Sequence, residues 1–421
     1  MTPNHVHVVG AGLAGLAAAL RLSARGVRVT VHEAGPQAGG RCRSYFDREL
    51  NCRVDNGNHL LLSGNRAAWS FLHEVGSGAT MGGPGRPLFP FMDLRSGQRW
   101  ALRPNPGRIP WWVLRPGRSV PGARLRDFLA LRHLRRAGRD DVLDPFLRPG
   151  HLRDRLLEPL AVSALNTAVT EGSARLMSAV VEQSLGEGGA ACVPSFPREG
   201  LSESFIDPAV ATLRARGATV RTGSRVGVVD VTDGRVAALD GQTLGADEAT
   251  VLAVPAPVAA ALLPGLETPD RFEAILNVHF RLDHPLAPGD LREAGFIGLV
   301  GGLTEWVFVK SGVVSTTISA ANRYLDRPNE ALAQQVWQEV CAALGSGVAR
   351  DEPIPLYRVV REKRATFAAT PAQDRKRPPA RTALANLVLA GDWTDTGLPA
   401  TIEGAVRSGH AAAEALLRPT H

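Results

Sequence analysis

Three glycines near the start of the chain constrain its fold more than any other feature. Gly10, Gly12 and Gly15 stand in the pattern G-A-G-L-A-G. A run typical of a buried strand, H-V-H-V-V over residues 5–9, precedes them, and an Ala- and Leu-rich segment over residues 13–25 follows. The first glycine permits a tight turn, the second lets the backbone approach a pyrophosphate, and the third allows close helix–strand packing. The pattern therefore predicts a strand, a turn and a helix that together bind a dinucleotide.

The residues around these glycines extend the prediction. Ala11, Leu13 and Ala14 would lie at the N-terminus of the helix, where backbone N–H groups face the phosphates. A second strand is predicted over residues 27–32, and Glu33 follows it, 18 positions beyond Gly15. An acidic residue at this place accepts hydrogen bonds from a ribose diol.

A second glycine loop distinguishes between dinucleotides. Gly39, Gly40 and Arg41 follow Glu33 closely in the run A-G-P-Q-A-G-G-R. Two glycines allow this loop to pass close to a cofactor, and arginine can reach phosphates as a forked donor. Enzymes that bind NAD do not need such a loop, so the sequence favours FAD.

The end of the chain carries a third segment of this kind, V-L-A-G-D-W-T-D-T-G-L-P-A-T-I-E-G, at residues 388–404. A strand is predicted to end at Gly391 and Asp392, and Asp392 could bond the ribityl chain. The last helix would then begin at Ala400, Thr401 and Ile402. A helix N-terminus aimed at the flavin pyrimidine edge would stabilise reduced flavin. An ordinary strand–helix turn is the alternative.

The length of 421 residues suggests two interleaved lobes rather than one domain. We expect an α/β fold in which a Rossmann-like FAD-binding domain is interleaved with a substrate-binding α+β domain. The FAD-binding domain would comprise residues 1–83, 200–265 and, with the C-terminal flavin clamp, 386–421. A basic, partly helical insert and substrate lobe would comprise residues 84–199. The substrate-binding domain would comprise residues 266–385.

The positive charge of the chain is concentrated in the insert. The formal net charge is +7, and residues 103–155 contain 13 Arg against 5 Asp and no Glu. Trp111 and Trp112 lie among these arginines, and residues 125–136 predict a helix with an apolar stripe and a basic face. Both features are typical of contact with an anionic lipid surface. A solvated helix is the alternative, and no nucleic-acid-binding signature accompanies the charge.

Other features limit the cellular setting. The four cysteines form no CxxC pair and no zinc spacing, so we expect reduced thiols and no metal site. The longest apolar stretch, residues 251–264, is too short and too rich in proline to span a bilayer. The start of the chain runs directly into a strand pattern without a signal peptide. We therefore expect a cytoplasmic protein, peripheral on the inner face of the cytoplasmic membrane.

Polar residues suited to catalysis occur in one short run. Asp55-Asn56-Gly57-Asn58-His59 precedes the apolar Leu60–Leu62. Beside a flavin, His59 and Asp55 could orient or protonate a substrate hydroxyl, with Asn58 in the substrate pocket, because histidine has an intrinsic pKa suited to acid catalysis. A hydrogen-bonded loop that only shapes the flavin face is the alternative.

A later strand offers apolar lining for a substrate. Trp306 and Phe308 alternate along T-E-W-V-F-V-K and therefore share one face. They could line a long apolar tunnel, or they could pack in the core. The sequence assigns no role to Lys310.

The motifs at both ends resemble those of the flavin amine oxidase and phytoene desaturase superfamily, whose architecture also occurs in GDP-dissociation inhibitors. Closer still, G-R-C-R-S-Y-F-D, V-D-N-G-N-H-L-L-L-S-G-N and P-L-F-P-F resemble the hydroxysqualene dehydroxylase branch. The resemblance covers the whole chain. It implies FAD contacts at Gly10, Gly12, Gly15, Glu33, Gly40, Arg41 and Asp392, and a backbone contact to the adenine at Val226, in a strand after R-T-G-S-R.

The resemblance also implies a function, namely reductive removal of the allylic hydroxyl from a long-chain isoprenoid, hydroxysqualene, in hopanoid and squalene biosynthesis. Three alternatives remain: oxidative desaturation of a related polyene, amine oxidation, and binding of prenylated partners without redox chemistry. The electron donor is not identified by the sequence.

Overall fold

The computed structural model describes residues 2–282, 289–310, 312–345 and 353–418. Parts of the predicted segments 266–385 and 386–421 therefore lie outside the described residues. Among the described residues, no helix has the length and apolar character needed to cross a membrane.

The described residues form twenty β-strands and eleven α-helices, joined by loops and short 3-10 and π turns. The strands are β1 (His5–Val9), β2 (Arg28–His32), β3 (Ser44–Asp47), β4 (Cys52–Asp55), β5 (Leu61–Leu62), β6 (Met81–Gly82), β7 (Phe89–Asp93), β8 (Arg99–Leu102), β9 (Pro194–Pro197), β10 (Thr219–Arg221), β11 (Val229–Thr232), β12 (Arg235–Leu239), β13 (Gln242–Thr243), β14 (Glu248–Leu252), β15 (Phe272–Arg281), β16 (Phe296–Val300), β17 (Trp306–Lys310), β18 (Val313–Ile318), β19 (Tyr357–Phe367) and β20 (Leu387–Leu389). The α-helices are α1 (Leu13–Ser23), α2 (Arg66–Glu74), α3 (Leu125–Ala130), α4 (Glu158–Leu165), α5 (Ala174–Glu182), α6 (Asp207–Ala215), α7 (Ala256–Leu262), α8 (Gly289–Ala294), α9 (Asn329–Leu344), α10 (Pro371–Arg375) and α11 (Ile402–Leu417).

A parallel sheet of five strands, in the order β10-β2-β1-β14-β20, contains the predicted strand–helix–strand unit. Strands from the start, the middle and the end of the chain lie side by side in it. On one face, α1 and α11 pack so closely that a side chain at Gly409 would overlap the carbonyl oxygen of Ala14. The last helix is therefore part of the N-terminal fold.

The two faces of this sheet differ in chemistry. Val6 and Val8 of β1 are fully buried on the helical side. On the other side, Val9 and Leu252 share a core with Val236 of the small antiparallel sheet β11-β12-β13. The face of Val9 also carries the buried polar side chains of His5 and His7, so β1 is buried on both faces although its sequence alternates between polar and apolar residues.

A second sheet of seven strands has the order β19-β15-β18-β17-β16-β7-β8. Its pairings are antiparallel except for β16 with β7. Helix α9 packs on it, with the ring centroids of Phe280 and Trp337 5.0 Å apart. Strands β7 and β8 come from the basic insert, so insert and later strands build one sheet.

Two sequence predictions of secondary structure are wrong. Residues 225–228 form no strand, because the N–H groups of Gly227 and Val228 donate to the carboxylate of Asp240 instead of to a neighbouring strand. Val226 is therefore in a loop before β11. The predicted helix over residues 125–136 ends as α3 at Ala130 and continues as 3-10 turns.

Candidate active site

The first glycine loop leaves open space where a pyrophosphate is expected. A Cβ at Gly10, which has φ +108°, would lie 2.5 Å from the carbonyl oxygen of Ala253, and one at Gly15 would overlap the carbonyl oxygen of Gly10. A Cβ at Gly12 would meet no atom within 4 Å. Gly10 and Gly15 are thus required by packing within the protein, whereas Gly12 keeps a space clear for a ligand.

The start of α1 faces the same space. Leu13 and Ala14 precede the first helical hydrogen bond, from the N–H of Leu16 to the carbonyl of Gly12 at 2.9 Å. Gly12 caps the helix without a side chain. The early N–H groups are therefore available to an anion.

Glu33 lies at the carboxyl end of β2, directly beside this loop. Its carboxylate accepts hydrogen bonds from the N–H groups of Ala11 at 2.9 Å and Gly35 at 2.7 Å. The backbone of Ser224 donates to the carbonyl of Glu33 at 2.8 Å. The loop that carries Val226 is thereby held next to the carboxylate predicted to bind the ribose.

The second glycine loop lies against the first. Gly39 pairs with Gly12 in an isolated bridge, and its N–H donates to the carbonyl of Ala11 at 2.8 Å. Gly40 is exposed, and a Cβ there would lie 3.6 Å from the Cα of Gly12. The two predicted phosphate loops therefore border one space.

Arg41 and Asp392, predicted from opposite ends of the chain, are in contact. The guanidinium lies 2.6 Å from the carboxylate, and its second arm donates to the carbonyl of Ala365 at 2.5 Å. Burial alone would lower the pKa of Arg41, but Asp392 beside it raises that pKa above its ordinary value. Gly391, with φ +150°, could not carry a side chain without overlapping the indole of Trp393.

The predicted helix of the clamp begins as expected. Thr401 is the N-cap of α11, and its hydroxyl accepts from the N–H of Gly404 at 3.0 Å. Ile402 is buried, and Ala400 packs against the core beneath the parallel sheet. Glu403 turns away and accepts from the N–H of Ala68, at the start of α2, at 2.9 Å.

Asp55 forms a buried ion pair that the sequence did not reveal. Its carboxylate lies 2.6 Å from the Nζ of Lys310, at the end of β17. It also accepts from the hydroxyl of Ser44 at 2.7 Å and the N–H of Leu201 at 2.9 Å. Burial favours the neutral acid, but Lys310 and these donors hold the pKa of Asp55 below its usual range. The sequence does contain a signal for Lys310: it lies two positions after Phe308 and four after Trp306, which places the three side chains on the same face of one strand.

His59 is half-buried near this pair. Burial lowers its pKa to about 4, an effect that Asp55 opposes and that Arg41 and Lys310 reinforce. The imidazole is therefore neutral at pH 7, so the intrinsic pKa that suggested an acid role does not apply in this environment. A neutral ring can still donate or accept a hydrogen bond to orient a hydroxyl.

Asn58 offers an acceptor to a ligand. Its amide nitrogen donates to the hydroxyl of Thr317 at 3.1 Å and to the carbonyl of Thr316 at 3.3 Å. Its buried Oδ1 has no hydrogen-bond partner among the described residues. Because an unsatisfied buried acceptor is costly, this atom is suited to a substrate hydroxyl.

His279 is a second polar residue that sequence reasoning missed. It is buried on β15, and its Nδ1 lies 2.7 Å from the hydroxyl of Ser315. Burial lowers its pKa to about 4, with the charges of Asp55 and Lys310 acting in opposite directions.

Trp306 and Phe308 belong to an aromatic cluster. The ring of Phe308 is buried, with its centroid 5.8 Å from that of Phe196 and 5.9 Å from that of Phe296. Trp306 is half-buried, and its indole N–H donates to the hydroxyl of Ser163 at 2.6 Å. The rings of this cluster pack in the core, and Trp306 and Phe308 lie on the strand that ends at Lys310.

Known proteins share this architecture. Residues 13–284 and 300–417 match the family of flavin-containing amine oxidoreductases. The chain is 47% identical to hydroxysqualene dehydroxylase from Rhodopseudomonas palustris, over 98% of each chain. It is 44% identical to the enzyme of the same name from Sinorhizobium fredii, over 100% of each chain.

A solved structure agrees at the level of the fold. Cyclohexylamine oxidase from Brevibacterium oxydans superposes with a TM-score of 0.72 at 16% identity, over 98% of each chain. The predicted α/β architecture of amine oxidase type is thus confirmed. The chain belongs to the flavin-containing amine oxidoreductase family, uses FAD as its cofactor, and falls among the hydroxysqualene dehydroxylases within that family.

Proposed function

We propose that this chain reductively removes the allylic hydroxyl of hydroxysqualene and releases squalene and water. The relatives that carry the name of this activity support the proposal. The observation that carries it is the polar cluster of Asp55, Asn58, His59 and Lys310, because a plain hydrocarbon substrate offers these groups nothing to bond.

The reaction replaces a C–O bond by a C–H bond. FAD, when bound and reduced, supplies the hydride. The hydroxyl leaves as water, so a proton must reach its oxygen. The ammonium group of Lys310 gives one hydrogen bond to Asp55 and retains further N–H donors for that oxygen. Asn58 accepts the hydroxyl hydrogen, and neutral His59 helps to orient the group.

The aromatic cluster around Phe308 suits a reaction that passes through a cation. An allylic cation formed as water leaves must be kept from other water molecules. Phe296, Trp306 and Phe308 present packed rings without polar atoms except the indole N–H, which Ser163 engages. Trp306 and Phe308 lie on β17, which ends at Lys310, so apolar and charged side chains meet at the end of this strand.

The alternatives require different site chemistry. A desaturase abstracts hydride from a C–H bond and has no hydroxyl to protonate. A lipid-binding protein of GDP-dissociation-inhibitor type needs no paired Arg41 and Asp392 at a flavin clamp. An amine oxidase is disfavoured by the near relatives, which carry another name.

The direction of the chemistry is directly testable. Chemically reduced enzyme, given hydroxysqualene without oxygen, should yield squalene and oxidised flavin. The Lys310→Met and His59→Ala variants should slow this step, Lys310→Met by about 10²–10⁴-fold per bound flavin if Lys310 delivers the proton. Rates that fall only in proportion to FAD content would show that both residues support flavin binding and not the proton transfer. Bleaching of oxidised enzyme by squalene, with hydroxysqualene left untouched, would support the desaturase.

We also propose a peripheral contact with the inner face of the cytoplasmic membrane. Five of the ten exposed large apolar side chains among the described residues lie in one stretch of the insert: Ile109, Trp111, Leu114, Leu125 and Leu129. Arginines surround them in the sequence. Trp111 is 59% exposed but Trp112 only 5%, so the predicted tryptophan pair reduces to Trp111 as a membrane anchor.

Liposome binding tests this contact. We expect co-sedimentation with anionic vesicles that weakens with salt, since exposed charges are screened within about 10 Å at 0.1 M. Trp111→Ala should remove much of the salt-resistant binding. Leu356→Ala, an exposed residue outside the insert, is the control and should leave it unchanged. Equal high-salt binding of Trp111→Ala and parent would refute the anchor.

A further inference from the structure

The face of the parallel sheet opposite α1 carries an unusual group of polar side chains. His5 and His7 stand two positions apart on β1, so both rings project from this face. Glu248 of β14 lies directly opposite His5 in the strand pairing. All three are more than half buried, and the flavin site does not use them.

The three side chains converge on one point. One ligand atom from each lies within 4.8 Å of the others. The Nδ1 of His5 is 2.6 Å, and the Nε2 of His7 is 3.8 Å, from the carboxylate of Glu248. Around a tetrahedral Zn²⁺ ion with bonds of about 2.0–2.1 Å, two ligand atoms lie about 3.3 Å from each other, which is between the two distances found here. Small side-chain rotations suffice to reach that arrangement.

The outer nitrogens of both rings are already held. The Nε2 of His5 lies 3.0 Å from the hydroxyl of Thr30, and the Nδ1 of His7 lies 3.2 Å from the Nε2 of His32. His32 in turn contacts the hydroxyl of Ser224 at 3.3 Å. Metal-binding histidines characteristically have the second ring nitrogen fixed in this way, because that bond sets the tautomer and the ring orientation.

The inner nitrogen of His7 supplies an independent observation. His7 is 4% exposed, and its Nε2 has no hydrogen-bond partner among the described residues. If His7 donates through Nδ1 to His32, the lone pair of this Nε2 points at the carboxylate of Glu248. Two lone-pair groups that face each other repel, and a cation between them removes that repulsion.

We propose that His5, His7 and Glu248 form a binding site for a divalent late transition metal ion, with Zn²⁺ as the probe. Two imidazoles and one carboxylate form a donor set that this class of ion prefers. The side chain of Glu248 is 18% exposed, which gives the ion an entry path and a water as fourth ligand. Cysteine spacing could not predict this site, since its nitrogen ligands come from a strand.

Two nearby charges compete with the ion, those of Arg28 and Arg221, and Arg221 already disfavours a positive charge on His7. The guanidinium of Arg28 lies 3.6 Å from the carboxylate of Glu248. Its side chain is 67% exposed, so it can turn to solvent at little cost when the ion enters. The bound ion would then tie β1 to β14 immediately before the first glycine loop, without touching the flavin.

Zinc titration of tag-free, FAD-loaded enzyme stripped with a chelator tests the site. Calorimetry should give one Zn²⁺ per chain, and the melting temperature should rise with Zn²⁺. His7→Gln and Glu248→Gln should weaken binding by at least about tenfold. His133→Gln, an exposed histidine of the insert, is the matched control and should bind as the parent does.

FAD content and the melting temperature without Zn²⁺ show whether each variant is folded. If the His7→Gln variant loses FAD, the Thr30→Val variant takes its place. This variant removes only the hydrogen bond between Thr30 and His5, and it should still weaken zinc binding. A parent enzyme that takes up no Zn²⁺ would overturn the proposal. So would a folded His7→Gln or Thr30→Val protein that binds Zn²⁺ with the stoichiometry and affinity of the parent.

Discussion

The ion pair between Asp55 and Lys310 gives a prediction that separates structure from catalysis. Lys310→Met removes the charge and keeps the length of a side chain that is 12% exposed. Asp55 would remain buried as a carboxylate, with Ser44 and Leu201 as its donors. Asp55→Asn would instead leave the ammonium of Lys310 without the negative charge that pairs with it, and with at most a neutral amide oxygen as acceptor at this position.

The expected magnitudes follow from these partners. Removal of one member of a buried ion pair costs about 3–5 kcal/mol of unfolding free energy. Lys310→Met belongs near 3 kcal/mol, at the lower end of that range, because two donors remain for Asp55. Asp55→Asn belongs near the upper end. The double variant carries no buried charge, so its cost should fall about 2–3 kcal/mol below the sum of the single costs.

Urea unfolding of FAD-loaded protein, followed by circular dichroism and flavin fluorescence, measures the cycle. Lys363→Met is the control, because Lys363 is exposed and its loss should cost less than about 0.5 kcal/mol. Additive single costs, or a Lys310→Met cost equal to that of Lys363→Met, would refute the buried pair. A stable double variant that still turns over at the parental rate would refute a catalytic role.

Three further predictions follow from the same geometry. Denaturation should release all yellow chromophore, because no histidine or cysteine lies in a recognisable flavinylation motif; colour that stays with the precipitated chain would contradict this. Gly12→Ala should fold with unchanged apoprotein stability but bind FAD about 10–100-fold more weakly, since overpacking costs about 1–3 kcal/mol. Gly15→Ala should instead lower the melting temperature of the apoprotein itself, and equal behaviour of the two variants by calorimetry would contradict the assignment. As pH falls from 6.5 towards 4, the unfolded chain protonates both His279 and His59 while the native chain does not, so the contribution of His279 alone to stability should fall by up to about 3 kcal/mol. His279→Gln should flatten that part of the stability profile, and an unchanged slope would show that other groups dominate.

Most of the predicted FAD contacts rest on short, local sequence patterns. The glycine spacing, the acidic end of β2 and the capped start of α11 each depend on a few neighbouring residues, and the first two are joined by the hydrogen bond from Ala11 to Glu33. The sequence predicts a cofactor contact for Arg41 and another for Asp392, but not the ion pair that joins these residues across 351 positions.

The residues that the sequence did not reveal depend on long-range topology. Lys310 meets Asp55 across 255 positions, and only the pairing of β17 within the second sheet sets that contact. The pKa of His59 depends on burial and on charges from several segments, and these effects cannot be read from the intrinsic pKa of histidine. The loop at Val226 departs from its predicted strand because a distant carboxylate, Asp240, satisfies its backbone.

The order of the parallel sheet has a consequence for synthesis of the protein. Strand β1 lies between β2 and β14, and β14 in turn pairs with β20 near the chain's end. Until residues 387–417 leave the ribosome, the edge of β14 and the surface of α1 that receives Gly409 stay uncovered. A nascent chain therefore cannot complete its cofactor site before β20 and α11 have emerged, and uncovered strand edges are sites of aggregation. FAD capture should follow the emergence of α11, and a truncation into this helix should abolish it.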